Sequence, residues 1–453
     1  MNKASLVAAL AFCLAATGAA GQSVTTLDLT LDQARALAQR AFTAGDRQLA
    51  YQIARELVEA DPQDRDALLL LAATAPDVGQ PEEGRRAGAR AHALSRTPVE
   101  RYEAARVTAL AAARAGQFTR AQFWLRRALI DAPTEAERER TTRDAADVAR
   151  RNPLALRFSF SVVPSNNVNG GAEDETLTAP GLPDGTLSAD ALALEGIRAS
   201  LRLGVTWRLA ESPAARTSAS LDYSASRVRI DPEEEAGVPD SAFATDLWTA
   251  ALAHERRLGP GTAGARLAFG SYDYGGEDYY DFRRLTLSYG WAIRPDTALQ
   301  TVVQREWQDY ESEGIGEIMK TAVSGTLSRR LGNGDRVSGG LSFEDSLGDS
   351  VNYTYTDRGL SVGYDFGRPI GPLQVGLSAG MNWTDYDDYI LIFPVDGGRE
   401  DRTIRYGATI GLPDAQFAGF YPSMSISGSR TESNISRFTR STLSVGFNLV
   451  STF

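Results

Sequence analysis

The sequence predicts two domains of different class: an N-terminal α-helical solenoid, then a transmembrane antiparallel β-barrel of about 14 strands. Three observations carry this. Between Leu31 and Arg151 apolar residues recur at spacings of three and four. After Arg151-Asn152-Pro153 the period becomes two and stays there. The strands so marked run to about ten residues or more, where soluble sheets favour about five or six and membrane-spanning strands need about nine to eleven.

The chain has 453 residues, 43% apolar and 9% aromatic, with a net charge of −11. That charge argues against nucleic acid, whose phosphates need a basic face. No apolar run of about 18 residues follows the N-terminus, so no transmembrane helix is expected in the mature chain. Barrel strands hide their apolar half in any averaged hydropathy. Residues 1–21 read as a secretory signal peptide: Lys3, an apolar core over residues 5–16, then Gly18-Ala19-Ala20-Gly21 before a cut near Gln22. Cys13 lies inside that core behind Phe12, which does not fit a lipoprotein cut. The mature chain then has no cysteine, which excludes disulfides and thiol catalysis.

Residues 22–152 form the expected helical domain. Ala38, Ala50, Leu57 and Pro62 stand at the same spacing as Ala109, Ala121, Ala128 and Pro133. Ala72, Gly84 and Ala91 repeat the first three, with Pro98 two residues late. Small residues let paired helices approach closely. Gly45, Gly79 and Gly116 fall at the turns, and the prolines are expected to end the second helices. The pattern resembles the tetratricopeptide repeat (TPR). Pro76 interrupts the middle unit, which reads as degenerate. Trp124 reads as core, and a plain Ala-rich bundle is the bland alternative.

Residues 153–453 form the expected barrel. Strands are expected near 156–166, 196–209, 216–229, 242–256, 262–274, 281–294, 298–310, 317–331, 336–347, 352–366, 373–386, 401–412, 421–430 and 438–453. In the second, Ile197, Leu201, Leu203, Val205 and Trp207 alternate with Arg198, Arg202 and Gly204. Every second connection is short, such as Glu211-Ser212-Pro213 and Gly259-Pro260-Gly261. Several alternate ones are long, such as Gly170 to Asp190 and Asp385 to Glu400. Short turns on one side and long loops on the other is the outer-membrane pattern, and it places both barrel ends and the helical domain in the periplasm. Trp207, Trp291, Trp307 and Trp383 fall in phase with the lipid-facing rows, as interfacial girdles do. Arg198, Arg202, Asp222, Arg284 and Gln300 give a polar lumen.

The last strand carries Leu443, Val445, Phe447 and Leu449 on one face and stops on Phe453 in phase with them. Val445, Phe447, Leu449 and Phe453 resemble the C-terminal signal of outer-membrane barrels, which implies the barrel assembly machinery as a partner. The first strand runs into Pro164-Ser-Asn166-Asn167-Val-Asn169 followed by small residues. This motif, with the order of signal peptide, repeats and barrel, resembles the surface lipoprotein assembly modifier (Slam) family. The resemblance implies an outer-membrane translocator that delivers client lipoproteins or soluble haem-binding proteins to the cell surface. The repeats would gather the client and the barrel would pass it outward. A polysaccharide-export porin or a general porin is the competing reading. Pairing the first and last strands places the asparagines at the outer end of the seam, where the two chain ends make a lateral opening cheapest.

No catalytic, metal or cofactor pattern emerges. His92 belongs to a repeat helix. His254 reads as lumen-facing near the periplasmic end of its strand, without a partner for nucleophilic catalysis. Glu233-Glu234-Glu235 and Asp385-Tyr386-Asp387-Asp388 read as solvated loops and match no calcium-loop pattern. The chain is therefore expected not to be an enzyme.

Overall fold

The computed structural model describes residues 9–10, 27–231, 237–413, 415 and 420–451. Apart from Ala9 and Leu10, the predicted signal peptide with Cys13 lies outside them, as do Glu233 to Glu235 and Phe453. The chain divides into two compact units at Asn152–Pro153.

Among the described residues the first unit holds seven α-helices: α1 Leu31–Ala44, α2 Arg47–Ala60, α3 Arg65–Thr74, α4 Pro81–Leu94, α5 Pro98–Arg114, α6 Phe118–Ile130 and α7 Glu135–Arg151. Every start but that of α6 is chemically marked by a capping side chain or a first-turn proline. Thr30 and Thr97 cap α1 and α5 as capping boxes with Gln33 and Glu100. Gly45, Gly79 and Gly116 turn left-handed at φ of 85°, 79° and 72°, as the helix ends need. The small residues pack as expected: Ala38, Ala50, Ala72, Ala91, Ala121 and Ala128 are fully buried. A Cβ on Gly84 would sit 3.0 Å from Pro76 Cδ and 3.1 Å from the Ala72 carbonyl. Pro76 converts the end of the middle unit's first helix into a 3₁₀ turn over Ala75–Val78. Pro98 departs from expectation. It does not end a helix but opens α5 at the first turn, where a missing N–H costs nothing. The fold is TPR-like.

The second unit is a closed antiparallel barrel of 14 strands, as the alternation predicts. They are β1 Leu154–Ser165, β2 Gly196–Glu211, β3 Ala215–Ile230, β4 Thr245–Leu258, β5 Gly261–Tyr274, β6 Glu277–Arg294 and β7 Thr297–Tyr310. Then come β8 Glu317–Arg330, β9 Arg336–Gly348, β10 Tyr355–Asp365, β11 Gln374–Tyr386, β12 Arg399–Gly411, β13 Phe420–Ser433 and β14 Arg440–Ser451. Each pairs with the next, and β14 closes on β1. Closure removes every free edge but the seam, and the ladder satisfies the backbone within the apolar belt.

One end carries the short turns and the start of β1; it is the turn end. The other carries the loops 166–195, 231–244, 311–316, 349–354, 387–398 and 434–439; it is the loop end. One loop-end connection is only Gly275-Gly276, at φ of 67° and 90°. Two left-handed residues in a row make the tight hairpin turn that matches strand twist.

Side chains sort by register. The outward rows are apolar and open, as in Leu156, Phe158 and Phe160 of β1 and Leu341, Leu360 and Ile404 further round. Trp207 and Trp291 stand outward near the turn end, and Trp383 near the loop end. Trp307 is half-buried, with the Arg305 guanidinium 5.7 Å from its ring. One strand departs from expectation. In β4, Tyr223 pairs with Trp248, Leu221 with Ala250 and Thr217 with His254. That register puts His254 on the outward row, not in the lumen. His254 Nδ1 lies 2.9 Å from Thr217 Oγ1. The same register adds Trp248, 4.3 Å from the Tyr223 ring, to the loop-end girdle.

Candidate functional site

Three features of the barrel are built for more than closure: the lumen wall, the loop-end mouth and the seam.

The lumen is polar and two-sided. On β8 to β13 many inward residues are small, and Ser324, Thr326, Gly340, Ser342, Ser361 and Ser378 line, with Asn382 and Arg405, a cavity of about 530 Å³ along the wall. The other side is charged. Arg157 pairs with Asp222 at 2.9 Å, which also faces Arg266 at 4.0 Å. Arg284 pairs with Glu306, and Gln308 donates to the same carboxylate at 2.6 Å. Arg198, Arg202 and Gln300 share this face with them. Glu306 and Gln308 are buried, and Arg284, itself partly open, supplies the countercharge that a buried carboxylate needs.

The mouth is aromatic. Inward tyrosines follow one another around it: Tyr272 and Tyr280 at 5.1 Å, Tyr280 and Tyr310 at 4.9 Å, Tyr310 and Tyr353 at 5.9 Å. Tyr355 and Tyr386 follow at 5.1 Å, and Tyr386 and Tyr389 at 5.6 Å. The Arg399 guanidinium lies 3.3 Å from the Phe438 ring centre and 4.8 Å from that of Tyr386, an arrangement of cation on ring face. Loop 166–195 is tied into this rim. Leu177, Ala179 and Leu182 pack on Tyr389, Val395, Ile435 and Phe438. Asp396 N donates to the Pro180 carbonyl at 3.2 Å.

The seam holds the predicted motif. An asparagine amide carries both donor and acceptor, so it can stand in for a peptide group. Asn167 and Asn169 use both functions, and Asn166 uses its side-chain acceptor beside its own backbone N–H. Asn166 N donates to Leu443 O at 3.4 Å, and Asn166 Oδ1 accepts from Leu443 N at 2.8 Å. Asn167, only 4% exposed, donates to Gly171 O at 3.0 Å and Ser441 O at 3.2 Å, and accepts from Gly171 N at 2.9 Å. Asn169 binds loop 166–195 at its far root, donating to Asp190 O at 3.0 Å and Leu192 O at 2.7 Å and accepting from Leu194 N at 3.0 Å. Gly171 must be glycine, since a Cβ would fall 2.1 Å from Leu192 O. Arg440 adds a bond to Gly170 O at 3.0 Å. Pro164 sits on β1 in register with Ile197. The loop end of the seam is therefore clasped. A lateral opening is dearest there, the reverse of the expectation.

Of the C-terminal signal residues, Val445, Phe447 and Leu449 lie on β14, and Phe453 lies outside the described residues. Phe447 is outward and open, Val445 is half-buried, and Leu449 pairs through its backbone with Pro422. The alternation of the strand could signal none of the clasp's partners, which stand up to 277 residues away.

Outside the barrel, the helical unit offers a groove of about 660 Å³ lined by Phe42, Leu69, Leu70, Tyr102, Arg106 and Arg140. Among the described residues no group of three or more His, Cys, Asp or Glu is placed to hold a metal. In this unit His92 packs edge-on to Trp124 at 5.2 Å, and burial holds its imidazole pKa below the usual value. The Arg85 guanidinium holds the Glu82 carboxyl down to about 2, with Gln117 assisting.

No curated protein matches the chain in sequence. Among solved structures, the helical unit is similar to the Yersinia enterocolitica type III secretion translocator chaperone SycD, at 17% identity over 27% of this chain and 84% of that one, with a TM-score of 0.24. The barrel is similar to a loop-deletion mutant of OmpT, an outer membrane protein of Vibrio cholerae, at 7% identity over 66% of this chain and 99% of that one, with a TM-score of 0.36. It is also similar to Acinetobacter baumannii OccAB3, at 9% identity over 65% and 98%, with a TM-score of 0.35. Residues 264–447 match the family described as surface lipoprotein assembly modifier, a stretch from β5 into β14 that leaves out the asparagine motif. Behind TPR-like helices, the chain thus carries a closed 14-strand barrel whose residues 264–447 match the surface lipoprotein assembly modifier family.

Proposed function

We propose that the protein is an outer-membrane translocator that delivers client lipoproteins, or secreted haem-binding proteins, to the cell surface. The observation that carries this reading is the family match over residues 264–447. The turn end faces the periplasm, where the helical unit sits, and the loop end faces outward. That orientation follows the usual asymmetry of short periplasmic turns and long outer loops. The groove of α1, α3, α5 and α7 gathers an extended stretch of the client. Its apolar floor, rimmed by Arg65, Arg106 and Arg140 and by Asp66, Glu103 and Glu137, suits a segment with apolar residues between charges of both signs. The barrel then supplies the passage, and the barrel assembly machinery inserts it by reading β14. The protein acts by transport and not by catalysis.

The test is display. In cells lacking the protein, a client lipoprotein should lose surface labelling while its total amount stays unchanged. Normal labelling of every surface lipoprotein would overturn the reading.

A further inference from the structure

The charges of the lumen do not cancel on one stretch of wall. Gly204 of β2 stands opposite Arg157 of β1 and Asp222 of β3. Without a side chain there, Arg157 reaches across β2 and meets Asp222 at 2.9 Å. A Cβ on Gly204 would fall 2.6 Å from Asp222 Oδ1 and 3.2 Å from Arg157 Nε. Arg266 of β5 approaches the same carboxylate at 4.0 Å and donates to Ser220 Oγ at 3.4 Å. Arg202 stands opposite Ser159 and Ser224, one inward step from Gly204. It is therefore the diagonal neighbour of both Arg157 and Asp222. Its side chain is open to the lumen. Arg157, Arg202 and Arg266 thus stand about a single carboxylate.

The surroundings do not restore the balance. At the turn end Glu211 is taken by Arg208 and Glu255 by Arg216, each at 2.6 Å. Toward the mouth Glu306 is taken by Arg284 and Asp401 by Arg399. Arg198, further along β2, is held by Ser226 Oγ and Val168 O, neither of them charged. Across the lumen the wall of β8 to β13 offers hydroxyls and glycines, and the charged residue in its lining is Arg405, bonded to Asn382. A cleft lined by surplus charge of one sign, with low-dielectric walls, focuses its field on the solution inside. A guanidinium fork matches the paired oxygens of a carboxylate or phosphate.

We propose that Arg157, Arg202 and Arg266 form a lumen site for an oxyanion, a phosphate or carboxylate group, with Asp222 as the resident anion it competes with. The hydroxyls of Ser159, Ser220 and Ser224 lie on the same inward rows and supply further donors. The site rests on the charges of the wall and holds whether or not the barrel carries a client.

Calorimetric titration of the full-length protein in zwitterionic lipid nanodiscs, with pyrophosphate and with citrate, tests it. Wild type should bind at least one of the two, more weakly as salt is raised. Arg202→Gln and Arg266→Gln should each weaken binding at least ~10-fold. Asp222→Asn should tighten it ~5-fold, because the ligand then meets no resident carboxylate. A merely structural Asp222 would give the opposite sign. Arg283→Gln, on the outward row of β6 beside Trp307, should leave binding unchanged. A heat-shifted band on an unboiled detergent gel shows that each variant is a folded barrel. The tighter of the two probes names the group the site takes. Absence of binding by either probe to wild type would overturn the proposal. So would equal binding by wild type and both arginine variants, or weaker binding by Asp222→Asn.

Discussion

Asn166 and Leu443 form a reciprocal pair across the seam: the backbone N–H of Asn166 donates to Leu443 O, and its side-chain Oδ1 accepts from Leu443 N at 2.8 Å. One residue thus makes two rungs of a ladder, one with its main chain and one with its side chain. Asn167, one step on, bridges with its side chain alone, donating to Ser441 O and accepting from Gly171 N.

Asn167→Ala should loosen this clasp. It removes the donor that serves the Gly171 and Ser441 carbonyls and leaves the Gly171 N–H only its longer bond to Asn169 Oδ1, at a cost of about 3 kcal/mol. The temperature at which the folded barrel band disappears from a semi-native detergent gel should fall. Asn167→Asp should fall too, since a carboxylate keeps the acceptor and loses both donors. Unchanged midpoints in both would remove the clasp from the account.

A disulfide across Ser161→Cys and Asn448→Cys joins a recorded pair of the seam. Oxidised, it should lower surface display of a client about tenfold, and reductant should restore it. A control bridge across Ser200→Cys and Ser226→Cys, on the evenly paired β2 and β3, should leave display unchanged. If wild type displays no client, the transport reading fails; if the locked seam displays normally, the seam is not the route.

Deleting Phe453 should reduce the barrel found in the outer membrane several-fold, with Phe447→Ala intermediate. Membrane fractionation reads this. Full assembly of both would remove the C-terminal signal.

The helical unit should lose stability as the pH falls below about 6.5. Burial and the Arg127 charge lower the His92 pKa in the folded state. The unfolded state then binds the proton first, so stability is full above the unfolded value and declines as pH drops toward the folded one. Melting of the helical circular dichroism signal at pH 5 and pH 7.5 should show the difference in wild type and a smaller one in His92→Gln.

Much of this molecule is legible from residue patterns, for physical reasons. A period of two with a lipid-facing row is a strong constraint, so Leu201, Leu203 and Val205 identify β2 on their own. The failures mark where that constraint weakens. In β4 both rows are small or apolar, Leu247, Ala251 and Ala253 against Trp248, Ala250 and Leu252, so only pairing with Tyr223 and Leu221 settles the phase. Pro98 is ambiguous because a proline can follow one helix or open the next. The asparagine motif reads as turn chemistry in sequence. Its partners Ser441 and Leu443 become neighbours only when the barrel closes.

That closure sets an order of events. Every other strand pair of the barrel joins segments adjacent in the chain, while the Asn166–Leu443 pair brings together residues 277 positions apart. Contacts of such separation pay the greatest loop-closure entropy and form late. The clasp can snap shut only once thirteen hairpins have stacked in the correct register. A slip of one residue at the seam would carry Leu443 past its asparagine and cost loop 166–195 that tie at its root. The asparagines therefore proofread the barrel: loop 166–195 docks onto the mouth only in a molecule whose wall has been built without error.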